Sequence, residues 1–320
     1  MVATACATPV RPSTTRTSAP PPSASASVAT SVAVELSPTV TDGAIAWSRA
    51  AAATVEGVPA TASIVVRAAD GTTRVVARDA RYRMPPAWSP DGGSLAFVGS
   101  GSLSVWRPGE GTEQVLGCVP PVCLGLGPPA WSPDGSTVAF AVTGDDGDGL
   151  VVTDMGDPEL EVVADVVADG PPTWSPDGTS LAIASGDRIV VLDARDGTIT
   201  SSVAFRGRLG DRLSWSPDGT TFAVDGTSDG ASGIFLVPID GGAPLLLSAC
   251  PDDGCTDLDP AWTADGREVV FTRARCDLPG GDCYTGDLFV VEGGGGGAAR
   301  PLVTDRALDC CAAVQPVLDP

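Results

Sequence analysis

The octet PPAWSPDG occurs at 85–92 and again, unchanged, at 128–135. Three variants follow: PPTWSPDG at 171–178, LSWSPDG at 213–219 and DPAWTADG at 259–266. Their tryptophans, Trp88, Trp131, Trp174, Trp215 and Trp262, are spaced by 43, 43, 41 and 47 residues. Self-similarity at a period of this size marks a repeat architecture, in which no single unit can bury its apolar face alone.

Each copy reads as a tight turn between two strands. Pro presets φ at the first central position, Asp favours the second, and Gly tolerates the left-handed exit. The pairs Asp91-Gly92, Asp134-Gly135, Asp177-Gly178, Asp218-Gly219 and Asp265-Gly266 carry that chemistry, and Ala264 replaces the turn proline in the fifth copy. A short apolar run follows each turn: SLAFV (94–98), TVAFAV (137–142), SLAIA (180–184), TFAV (221–224) and EVVF (268–271). Two further strands fill each period, for example DRIVVLDA (187–194) and TITSSVA (198–204). Many of these runs are apolar at consecutive positions, which requires burial on both faces. The fold class expected is therefore all-β: a β-propeller of four-stranded antiparallel blades.

The blade count follows from the chain ends. AIAWSRA (44–50), SIVVRAA (63–69) and TRVVARD (73–79) read as the second to fourth strands of a blade lacking its first. AVQPVLDP (313–320) reads as a lone first strand, with Pro316-Val317-Leu318 matching Pro-Ala-Trp. Five complete blades plus one closed by the C-terminal strand make six. The expected organisation is a propeller over 37–320 preceded, at 1–36, by a signal remnant and a Pro/Ser/Thr/Ala-rich tether that carries no strand or helix pattern. MVATAC places small residues ahead of Cys6, a pattern similar to the end of a bacterial lipoprotein signal. Cys6 is thus the lipidation candidate, against the plainer reading of a cysteine in a disordered tail, and a leader upstream of Met1 goes with the former.

Composition narrows the partners. The net charge of −21 argues against nucleic acid, whose affinity rests largely on Lys and Arg at phosphates. Of 40 acidic residues 32 are Asp and only 8 Glu, which suits a turn-rich chain. No apolar stretch approaches the roughly 20 residues of a membrane span, so the expected membrane contact is through a lipid on Cys6.

Beyond Cys6, eight cysteines form close pairs: Cys118/Cys123, Cys250/Cys255, Cys276/Cys283 and Cys310-Cys311. In a propeller the three pairs that precede a first strand (Cys118/Cys123, Cys250/Cys255, Cys310/Cys311) fall in blade-to-blade loops. Cys276/Cys283 falls between second and third strands, on the same rim. Disulfides are expected, which places the chain in an oxidising compartment. Local pairing is preferred, with Cys310 or Cys311 joining Cys276 or Cys283 as the alternative. Zinc fits poorly without any histidine, and free thiols are the remaining option.

The absence of His and Lys removes Ser-His-Asp, Cys-His and Schiff-base chemistry. There is no Gly-x-Ser-x-Gly elbow, and EGGGGGAAR (292–300) lacks the ending of a phosphate loop. A carboxylate pair for glycoside hydrolysis is still available. No catalytic or cofactor-binding residue is assigned. TGDDGDGL (143–150) gathers Asp145, Asp146 and Asp148 as the metal candidate, a weak calcium site set against a solvated acidic hairpin. CPDDGCTDLD (250–259) extends the negative surface of that rim. The five turn aspartates are read as shaping their own turns, and the five tryptophans as blade core.

The PAWSPDGxxLAF repeats resemble the TolB-type β-propeller repeat, a relative of the WD repeat. It is found in periplasmic TolB, in propellers of prolyl-oligopeptidase-like peptidases and in many bacterial exported proteins. The resemblance spans about 43–320 and implies fold rather than activity. In TolB an α/β domain occupies the place of the tether, and the peptidases add a hydrolase domain after the propeller, so neither activity is implied. The expectation is a monomeric, extracytoplasmic binding or scaffolding module for an envelope protein or peptide, acting through the disulfide-clipped rim. A glycan-active envelope enzyme, glycosidase or lyase, is the rival.

Overall fold

The computed structural model describes residues 44–50, 61–68, 70–81, 84–99, 101–117, 125–144, 147–159, 161–251, 254–275, 285–295, 297–303 and 308–314. Among them every regular element longer than a turn is a strand. The tether, Cys6, Cys118, Cys123, Asp145, Asp146, Cys276, Cys283 and Pro316-Val317-Leu318 lie outside the described residues.

In chain order, β1 (Ile45–Ala50), β2 (Thr61–Arg67) and β3 (Thr73–Arg81) come first. Then β4 (Ala87–Trp88), β5 (Leu95–Gly99), β6 (Ser102–Arg107) and β7 (Gly111–Gly117) make the next antiparallel group. The third group holds β8 (Gly125–Leu126), β9 (Ala130–Trp131), β10 (Thr137–Gly144), β11 (Gly147–Asp154) and β12 (Glu161–Ala164). Three four-stranded sheets follow. They are β13 (Thr173–Trp174), β14 (Ser180–Ser185), β15 (Arg188–Asp193) and β16 (Ile199–Ala204); β17 (Arg208–Trp215), β18 (Thr221–Ser228), β19 (Ala231–Pro238) and β20 (Leu245–Ala249); and β21 (Cys255–Trp262), β22 (Glu268–Arg275), β23 (Thr285–Glu292) and β24 (Arg300–Val303). Last comes β25 (Leu308–Val314), antiparallel to β1 with Ile45 opposite Val314.

Two expectations need correction. Among the described residues hydrogen bonding yields five sheets, not six: β25-β1-β2-β3 continues into β5-β6-β7 through one residue pair, Ala80 opposite Gly99. The strand that returns to β1 is Leu308–Val314, upstream of the expected 313–320. Cys310 and Cys311 consequently lie within β25, with Cys310 opposite Ser48, rather than in a loop before it.

The repeat turns form as their residue types dictate. In the first, Gly92 N–H donates to Ser89 O (2.8 Å), Ser89 Oγ donates to Asp91 Oδ1 (2.5 Å), and Ser94 N–H donates back to Ser89 Oγ (2.9 Å). The five turn glycines have φ of 65° to 76°, conformations that a β-carbon would strain. Each turn also touches the next: Pro90, Pro133, Pro176 and Pro217 lie under Gly135, Gly178, Gly219 and Gly266 respectively. In the fifth turn Ala264 holds the place of these prolines. The tryptophans tie neighbours together, since Trp131 Nε1–H donates to Ala87 O (3.1 Å) and Trp174 Nε1–H to Ala130 O (3.0 Å).

The consecutive apolar runs are buried on both faces. All five residues of β5 are buried, whereas β7 and β16 are mostly exposed, which makes them outer strands. Between sheets the core is made of separate clusters. Ala182 and Ile189 pack with Phe222 and Val224; Ala223 and Ile234 pack with Val269 and Phe271. A further cluster puts Val270, Leu288 and Val290 against Ile45, Trp47 and Val65, so the last sheet packs on the first. Each fully buried Leu, Ile or Phe contributes roughly 1.5–3 kcal/mol by leaving water.

Candidate rim site

Within each sheet the Ser-Pro-Asp-Gly turns and the connections between third and fourth strands share one rim. The hairpins between second and third strands, and the entries into first strands, share the other.

On the first rim the aspartates do what their sequence position implies. Asp134, Asp177 and Asp218 each accept a side-chain hydrogen bond from the turn serine (2.6 Å) and a backbone N–H two residues on (3.0 Å). Asp265 does the same with Thr263 Oγ1 (2.7 Å) and Arg267 N (3.1 Å). The serine hydroxyl, followed by the backbone N–H, holds the Asp91, Asp134, Asp177 and Asp218 carboxyls below the usual carboxylate range.

The second rim holds two cavities on the inner-strand side. One, of about 380 Å³, is lined among others by Arg81, Leu126, Thr143, Asp148 and Gly170. The other, of about 610 Å³, is lined by residues of β17, β18 and β21, including Gly210, Asp225 and Leu258. Asp169 and Asp211 line both. The two loops marked out by sequence, 143–150 and 250–259, thus contribute Asp148 and Thr256 to cavity walls. Cys250 and Cys255 form a disulfide, Cα to Cα 5.8 Å, immediately before and at the start of β21. Asp148 lies opposite Thr143 in the β10–β11 hairpin. Among the described residues no group of three or more His, Cys, Asp or Glu side chains is arranged to hold a metal ion.

Beside the larger cavity lies a set of buried charges, and two of them, Asp257 and Asp259, belong to the 250–259 stretch expected to extend the negative surface. Asp257 is fully buried and pairs with Arg273 through two bonds, Nε to Oδ1 (2.7 Å) and Nη2 to Oδ2 (2.8 Å). Ser248 Oγ–H donates to the same carboxylate (2.8 Å), joining β20 to β21 and β22. Phe289 lies under the Arg273 guanidinium at 4.6 Å. One strand pair away, Arg212 Nε approaches Asp259 Oδ1 at 3.3 Å. Asp259 itself sits at φ 55°, an uncommon conformation for a non-glycine residue, where the β21–β22 register shifts.

Asp225, 4% exposed, accepts the backbone N–H of Arg212 at Oδ1 (3.1 Å). Its carboxyl is pushed up to about 8, first by desolvation and then by the charges of Asp259 and Asp211. The carboxylate lies against the Cα of Gly210, where a β-carbon would come within 2.2 Å of Oδ2. A signal for Asp225 was present in the repeats. Ten residues after each tryptophan stand Val98, Ala141, Ala184, Asp225 and Thr272, so one copy carries a charge at a core position.

Comparison with known proteins bears on the fold. A family model described as the lipoprotein LpqB beta-propeller domain matches residues 101–224. TolB from Acinetobacter baumannii superposes with a TM-score of 0.66 at 18% identity, covering 86% of this chain and 67% of that one. The fold is a TolB-like β-propeller. A putative TolB from Agrobacterium tumefaciens gives a TM-score of 0.60 at 20% identity, covering 77% of this chain and 87% of that one. An oligogalacturonate lyase in complex with manganese gives 0.53 at 14% identity, with 77% and 71% covered. No curated protein sequence matches the chain. At these identities the TolB-like propeller is what is shared, and the buried charges of β17, β18, β21 and β22 are described from this chain alone.

Proposed function

We propose that this protein is a non-catalytic binding or scaffolding module of the bacterial cell envelope, engaging a protein or peptide partner through its cavity-bearing rim. The observation that carries the reading is the pair of adjoining carboxylate-lined cavities on that rim, opposite a rim of near-identical short turns. Loops and cavities on a rigid scaffold are where recognition concentrates. The Cys250–Cys255 disulfide supports an extracytoplasmic location, and the match to a lipoprotein propeller domain supports a lipid on Cys6. Disulfides within Cys118/Cys123 and among Cys276, Cys283, Cys310 and Cys311, and a weak calcium site at Asp145, Asp146 and Asp148, belong to the same reading. Mass spectrometry of the native protein tests the lipid and the bridges together. Shortening 143–149 and the 251–254 segment ahead of β21 tests the rim: partner capture is expected to fall, and unchanged capture overturns the assignment.

One observation favours a second reading. Asp225 has its pKa raised beside Asp211 and Asp259, and pairs of carboxyls driven apart in pKa are how acid–base sites on glycans are built. Release of reducing ends or unsaturated products from a polysaccharide panel, abolished in Asp225→Asn, would establish the enzyme in place of the binding module.

A further inference from the structure

Three carboxylates line the larger rim cavity, those of Asp169, Asp211 and Asp225, against one guanidinium, Arg208. Arg212 is turned to Asp259 and Asp211 (3.3 and 3.7 Å). Asp225 is the unusual member. It is more than nine-tenths buried, it lines the cavity, and among the described residues its one hydrogen-bond donor is Arg212 N, at Oδ1. No donor among the described residues reaches Oδ2, and Asp225, beside Gly210, lines a half-open cavity of about 610 Å³. A buried carboxylate without its full set of donors is costly unless a partner supplies them.

The spacing of these groups selects the partner. Calcium gathers 6–8 oxygens within about 2.6 Å, and no acidic group among the described residues is that tightly clustered. Carboxylates spread over one cavity suit a larger cation. An alkylammonium offers three N–H donors from a single point charge, whereas a guanidinium needs acceptors in a planar fork for its five.

Building on the rim reading above, we propose that this cavity is a receptor for a primary alkylammonium group, with Asp225 Oδ2 as its deepest acceptor and Asp211 and Asp169 at its mouth. The chemistry is shared by a lysine side chain of a protein partner and by a free diamine. Entry of the cation meets a protonated Asp225 near neutral pH, so binding expels that proton. The groups acting on Asp225 are Asp259 on β21, and Asp211 and Arg212 on β17.

Calorimetry on the whole chain tests this with three probes: Nα-acetyl-lysine amide, its Nε-acetylated counterpart, and cadaverine. The two ammonium probes are expected to bind and the acetylated one to fail; the tighter of the two identifies the source. Asp225→Asn is expected to weaken binding about tenfold or more with no loss of melting temperature. Asp211→Asn, at an exposed position, gives a second variant whose folding is not in question. Affinity is expected to rise about 50-fold from pH 6 to pH 8, as the ionised fraction of Asp225 grows. Equal binding of the acetylated probe, absence of binding by both ammonium probes, or unchanged affinity in both variants overturns the proposal. Loss of partner capture on loop shortening, with no ammonium binding, leaves the rim reading standing and removes this one. Ammonium binding with capture unaffected by loop shortening does the reverse.

Discussion

The two rims use aspartate in opposite ways. On the turn rim each carboxylate is exposed and accepts a hydroxyl O–H and a backbone N–H, and those of Asp91, Asp134, Asp177 and Asp218 are held below the usual carboxylate range. On the cavity rim Asp225 is enclosed, accepts one N–H, and titrates near 8. The residue type is the same, and hydration and donor count set the sign. Donors that match the ionised form hold it ionised, whereas burial among like charges favours the neutral form. A turn can be copied around the ring because its donors lie within five residues of the acceptor. The buried charges cannot be copied, because their partners come from neighbouring strands and sheets.

The largest effect expected on that contrast comes from breaking a pair rather than a turn. Arg273→Ala leaves Asp257 buried, with Ser248 its one remaining side-chain donor among the bonds described. A loss of about 3–5 kcal/mol is expected in urea unfolding. Replacing both partners by leucine should cost clearly less, since neither charge is then stranded. A double variant as unstable as Arg273→Ala would mean that the pair itself, and not the stranded charge, dominates.

Asp225 comes next and has the opposite sign. Its folded pKa is raised, so between pH 4 and 8 the native state holds a proton that the unfolded chain releases. Its contribution is therefore fully favourable below about pH 4 and is lost as pH rises through 8. Asp225→Asn should stabilise the protein at pH 8 by on the order of 3 kcal/mol and leave it nearly unchanged at pH 4. Equal melting temperatures of variant and parent at pH 8 would remove the contrast between the rims.

A smaller effect belongs to the clip at the entry to β21. Cys250 and Cys255 close a loop too short to restrict the unfolded chain greatly, and Cys250→Ser with Cys255→Ser should cost about 2 kcal/mol. The same double variant should leave the β21 pairings beyond Asp257 protected in hydrogen exchange. Loss of protection there would make the disulfide a positioning element for Asp257 and Asp259.

How far the sequence could be read follows the same division. The turn rim was readable, because Trp, Asp and Gly recur at fixed spacing and every bond that shapes the turn is local. The strand order within blades followed from turn signals and apolar runs. The cavity rim was only partly readable. Asp148, Thr256 and Cys255 were reached through the acidic and cysteine-bearing loops. Asp211, Asp225 and Arg273 were not, and Asp257 was read within 250–259 as surface charge although it is buried, since their pairing depends on which strands the long first strands β17 and β21 reach. The early closing strand was missed because Pro316-Val317-Leu318 mimics the repeat, whereas Leu308–Val314 carries no motif and pairs through its backbone.

The smallest effect expected is on the turns themselves. Asp218→Ala removes three hydrogen bonds, from Ser216 Oγ, Thr220 N and Thr220 Oγ1. The site is solvated, so water replaces much of what is lost, and about 0.5–1 kcal/mol is expected in a thermal melt at pH 7. The folded pKa is depressed, so this contribution is present above about pH 4 and disappears as the pH falls through the lowered value. The gap between Asp218→Ala and its parent should therefore narrow below pH 3, just where the cost of Asp225 has vanished. A gap that stays constant on acidification would mean that the turn needs the shape of the aspartate and not its charge. The two rims would then differ in donor geometry alone.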